Sequence, residues 1–146
     1  MGIVWQFCRK YLEICEPEKT DLAYQFLDLV ATGVMGDMQS LLVPETKFLI
    51  WTGFKEENIH NPFIAGMIEK NKFPMTKPKY ISYGGLACSP MGAAFFIIPF
   101  INAINRSGTM AEKELIFKAM MPKYAFKEVP STKRGHKTGE TERIID

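Results

Sequence analysis

The chain has 146 residues, with 18 Lys and Arg against 16 Asp and Glu and a formal net charge of +2. This length suits one domain, and a charge so near balance gives no basic footprint, so nucleic acid is set aside as a partner. Cys8, Cys15 and Cys88 contain no C-x-x-C pair and are odd in number, which excludes a disulfide framework; they read as reduced thiols.

The N-terminus carries Glu13, Glu16 and Glu18 and lacks a long apolar core before a cleavage site, unlike a secretory or transit signal. Gln6 stands where a myristoylation motif places Ser or Thr. Residues 3 to 15 place Ile3, Val4, Phe7, Cys8, Tyr11, Leu12 and Cys15 in an i, i+3/i+4 stripe, which predicts a short amphipathic helix ended by Pro17. Thr20 or Asp21 can cap a second helix over residues 21 to 43, long enough to be a second membrane span. Its two carboxylates, Asp28 and Asp37, are nine residues apart and on opposite sides of such a helix. They therefore form no acid–base pair and read as structural.

Residues 47 to 54, KFLIWTGF, read as a strand or an interfacial segment anchored by Trp51 and Phe54. From Lys55 to Lys79 the chain is a polar connection broken by Pro62, Pro74 and Pro78, with one helical patch at PFIAGMIEK. Residues 80 to 105, YISYGGLACSPMGAAFFIIPFINAIN, contain no charged side chain and exceed the roughly 20 residues that cross a bilayer. They predict a membrane span kinked at Pro90 and Pro99. Lys77, Lys79, Tyr80 and Tyr83 supply membrane-interface anchors at its entry, and Gly85, Ser89 and Ala93 form a small-residue ridge for helix packing. Thr109 and Glu112 form a capping-box pattern that starts a third helix, stopped by Pro122. Residues 123 to 146 read as a polar tail, extended or docked on a partner through Lys133, Arg134 and Lys137.

Together these features predict a mainly α, small membrane protein: a helical membrane-associated domain over residues 1 to 122, followed by the tail. VWQFCRKYLEICEPEKT, TGVMGDMQS and CSPMGAAFF resemble the Mpv/PMP-type family of peroxisomal and inner-mitochondrial membrane proteins, over residues 5 to 42 and 80 to 121. That resemblance implies a pore or solute-permeation role and carries over no functional residues.

No Gly-rich phosphate loop, nucleophile elbow or metal-ligand cluster stands out, so no catalytic residue, cofactor or metal is expected. The leading reading is a non-catalytic accessory subunit of a larger membrane complex in the mitochondrial inner membrane, with other subunits and the lipid bilayer as partners. One alternative is a small membrane channel or transport-related protein. Another is a soluble α+β ligand-binding domain or enzyme, with Trp51, Tyr80 and Tyr83 lining a pocket and Asp28, Asp37 or His60 as acid–base candidates.

Overall fold

A computed structural model describes residues 2–71, 85–131 and 139–145. The expectations for Lys77, Lys79, Tyr80, Tyr83, Lys133, Arg134 and Lys137 fall outside these residues.

Helix α1 spans Gly2–Cys15 and buries Trp5, whose indole N–H donates to the Ala23 carbonyl at 2.7 Å. Most of its apolar stripe faces outward: Ile3, Val4, Phe7 and Tyr11 are exposed, while Leu12 is half-buried. After Pro17 the chain makes a 3-10 segment, Pro17–Phe26, and then α2, Leu27–Gly36. Residues 21 to 43 are therefore not one long helix. Gly33 and Gly36 lower helix propensity, Asp37 ends α2, and Met38 turns the chain with a positive φ of 52°.

Residues 47 to 54 are helical, contrary to the strand or interfacial reading. Pro44 opens α3, Pro44–Gly53, at a first-turn position where its missing N–H costs nothing. Thr46, Leu49, Ile50 and Gly53 are buried at i, i+3, i+4 and i+7, so tertiary burial of one helical face outweighs the β-branched content. Gly53 is where α3 crosses α2. A Cβ there would overlap the Leu27 carbonyl oxygen and lie 2.6 Å from the Ala31 Cβ.

Helix α4, Pro62–Lys70, is capped by Asn61, whose side-chain oxygen accepts from the Phe63 and Ile64 amides. The expected span over residues 80 to 105 is corrected in its described part. Gly85 has φ +78° and its carbonyl accepts the Glu56 amide at 2.8 Å, while Leu86 bridges to Lys55. Ser89 then caps a helical turn, Pro90–Gly92, and Pro90 sits in the first turn instead of kinking a helix interior. A π-helical turn, Ala93–Ile97, leads directly into α5, Ile98–Ser107. Among the described residues no helix is long and apolar enough to cross a membrane, which corrects the spans expected over residues 21 to 43 and, in its described part, 80 to 105.

The capping box is present: Thr109 accepts the Glu112 amide, and the Glu112 carboxylate accepts the Thr109 amide at 2.7 Å, opening α6, Met110–Ala119. The tail returns instead of extending away. Strand β1, Glu128–Pro130, pairs antiparallel with β2, Thr141–Arg143. Beyond it the Ile144 amide donates to Lys127 and the Ile145 amide to Ala125, each at 3.0 Å. Two terminal isoleucines in a groove beside Phe63 and Gly66 give this polar segment the apolar contact that its composition conceals.

Candidate functional site

The structure is organised around a buried carboxylate. Asp28 is fully buried on the core side of α2. One of its oxygens accepts the Leu29 amide at 2.7 Å; the other accepts the amides of His60 and Asn61 at 2.9 and 2.6 Å. The Asn61 side chain in turn donates to the Met120 carbonyl at 2.7 Å. Burial pushes the Asp28 carboxyl up from its ordinary value, against the backbone amides of Asn61, Leu29 and His60, which favour the charged form. This chain of bonds holds α2, the start of α4 and the end of α6 in fixed relation. It uses the His60 backbone and leaves that exposed residue's imidazole out of the latch, while Asp28 itself has no surface to offer a substrate.

A second face of α2, about a quarter-turn round from Asp28, borders α5 across a cleft. Leu29, Thr32, Gly33 and Gly36, spaced i, i+3, i+4 and i+7, form one wall of a cleft of about 260 Å³. Ile98, Ile101, Asn102 and Asn105 of α5, at the same spacing, form the other. The π turn before α5 adds a residue to the helical register and so turns the following face by about 100°. Ile98 packs at the Gly36 end of the cleft. Asp37 and Met120 complete the lining. The latch around Asp28 thus reaches this cleft at two points, Leu29 and Met120.

Asp37 occupies the C-cap of α2 and is exposed. A carboxylate there meets the negative end of the helix dipole. The two asparagines present carboxamides that can donate to a phosphate oxygen or accept from a donor. Asp37 can orient a water or supply one oxygen to a hard cation. Among the described residues no group of three or more His, Cys, Asp and Glu is placed to hold a metal ion.

The remaining sequence candidates lie elsewhere. Gly85 is in the turn before the helix, Ser89 is its N-cap with the hydroxyl accepting from Gly92 at 2.9 Å, and Ala93 is buried in the chain's own core. Trp51 is half-buried on α3, with the Lys47 ammonium 5.8 Å from its ring centre. Cys8 and Cys15 are exposed, while burial pushes the Cys88 thiol up to about 12, which leaves it unreactive. Asn102 and Asn105 were hidden in the uncharged run. Their signal is that two carboxamides share a helical face with Ile98 and Ile101, which a lipid-facing helix would not favour.

The chain is 31% identical over 143 residues to a protein named as a proposed SPbeta prophage-derived single-strand DNA-specific exonuclease, YorK, of Bacillus subtilis strain 168. It matches a similarly named protein of Bacillus phage SPbeta to the same degree. The match covers 98% of this chain but 22% of each relative, so the chain spans about a fifth of their length. No family model matches the chain, and no solved structure does.

These findings overturn several expectations. A membrane-complex subunit fits neither the helices of the described residues nor relatives named as DNA exonucleases. Placement in the mitochondrial inner membrane fails with it, since the relatives belong to a bacterium and its phage. The exclusion of nucleic acid rested on net charge alone, which does not register a local contact surface; the relatives' names put nucleic acid back among the partners to be considered. They also point toward an enzyme instead of a non-catalytic subunit.

Proposed function

We propose that this chain is a substrate-contacting module of a single-strand DNA exonuclease, and that the cleft between α2 and α5 receives the sugar–phosphate backbone. The observation that carries this reading is the convergence of Asp37, Asn102 and Asn105 on one cleft. The identity to single-strand DNA-specific exonucleases along nearly the whole chain supports the choice of substrate. In this reading the Asn102 and Asn105 carboxamides donate to phosphate oxygens and fix the strand's register. Asp37 stands beside the phosphodiester, where a carboxylate can orient an attacking water or hold a divalent cation against the phosphate. A single carboxylate is a thin metal site, so further ligands would have to come from outside the described residues.

Fluorescence anisotropy with labelled oligo-thymidylate and a duplex of equal length tests the reading. Tighter binding of the single strand is expected. Asn102→Asp should weaken it by roughly tenfold, because the near-isosteric change puts a negative charge against the phosphate. Equal affinity for both DNA forms, or an Asn102→Asp variant that binds like the parent, would overturn it.

A further inference from the structure

An exposed aliphatic strip begins at the residue after Asp37. Met38 and Leu42 are 90% and 93% exposed, and Leu41 and Val43 beside them are also exposed. Met38 holds a left-handed backbone conformation that a non-glycine residue seldom adopts, which projects the loop outward. The first two turns of α1 lie at the same end. A Cβ on Gly2 would contact Leu49 and Val34, and Gln6 donates to Glu45 at 2.9 Å, which places the start of α1, with its exposed Ile3 and Phe7, on the same side of the molecule as the start of α3. An apolar surface of this kind beside a cleft with a single lining carboxylate calls for an occupant.

We infer that this strip docks the protein region that makes up the rest of the exonuclease relatives, bringing further acidic groups to Asp37; the inference rests on the single-strand DNA reading. The match spans 98% of this chain and only 22% of each relative, so in those proteins most of the polypeptide lies outside the part that corresponds to this fold. The strip's chemistry favours protein over the other occupants. Ile3, Phe7, Met38, Leu41, Leu42 and Val43 carry no hydrogen-bond donor for a DNA backbone, unlike the cleft's two asparagines, and residues 2 to 8 and 37 to 45 contain no Lys or Arg to meet an anionic lipid surface. Its side chains are mostly aliphatic, which suits the apolar centre of a protein interface better than base stacking.

The test mixes this chain with the SPbeta relative from which the matching segment has been deleted, and follows complex formation by size exclusion with light scattering. If the deleted relative does not fold alone, the two are co-expressed and copurified through a tag on this chain. A one-to-one complex is expected, weakened at least tenfold by Leu42→Glu, a change at a position too exposed to unfold the chain. Absence of a complex by either route, or a complex indifferent to Leu42→Glu, overturns the inference. So does self-association of this chain that Leu42→Glu abolishes, since a second copy would then own the strip. A strip-dependent complex without single-strand DNA binding would refute the DNA reading and leave the docking intact. Selective DNA binding by this chain with no complex would do the reverse.

Discussion

The Asp28 carboxylate accepts the backbone N–H of Asn61 at 2.6 Å across 33 residues of sequence, and Asn61 passes the connection on to the Met120 carbonyl. Two side chains therefore hold three helical segments around the cleft. In Asp28→Asn one acceptor oxygen becomes an NH2 group, and at least one of the three amides that Asp28 satisfies loses its partner. An orphaned amide costs about 1–3 kcal/mol, so a loss of that order is expected in urea unfolding. His60→Ala, which keeps the backbone bond, should fall well short of it.

The same carboxylate sets a pH dependence. Its folded value lies above the ordinary 3.8, so between the two values the folded chain binds more protons than the unfolded one. Its contribution to stability is fully present below 3.8 and is lost as pH rises through the folded value. The parent should therefore lose stability relative to Asp28→Asn as pH climbs through that window. A difference between the two chains that does not change with pH there would contradict this assignment.

Gly53→Ala should destabilise by about 2–3 kcal/mol, because the new methyl meets the Leu27 carbonyl oxygen and the Ala31 methyl at the α2–α3 crossing. Thermal unfolding reads it directly. Gly36→Ala is the control: a Cβ there finds only ordinary contact with Ile98, so little change is expected.

Thr109→Ala removes the α6 cap and should cost about 1 kcal/mol. Glu112, held below the usual carboxylate range by hydrogen bonds from the Thr109 backbone and hydroxyl, links the cap to acid. A lowered carboxyl stabilises above 4.5 and loses that contribution as pH falls through its folded value. The difference between parent and Thr109→Ala should accordingly shrink in acid.

Local signals were legible in the sequence where they are self-contained. The capping box at Thr109, the stop at Pro17 and the helix at PFIAGMIEK needed only neighbours along the chain. What failed was the inference from missing charge to lipid. Within residues 85 to 105, Leu86, Cys88, Ala93 and Ile97 are buried in the protein's own core, so at those positions missing charge reflects core packing and not lipid. The polar members of this stretch, Ser89, Asn102 and Asn105, serve as a cap and a cleft wall. The separation of Asp28 from Asp37 around one helix was visible from their spacing, but the partners on each side were not. Those partners lie 33 to 83 residues away, at 61 for Asp28 and at 102 to 120 for Asp37.

The most direct test of the cleft as the DNA-contacting surface is a 15N–1H correlation spectrum titrated with oligo-thymidylate. Amides of Gly33 to Asp37 and Ile101 to Asn105 should shift together and saturate, with α6 beyond Met110 left in place. Shifts confined to other faces, or a spectrum that does not respond to single-stranded DNA, would contradict the assignment.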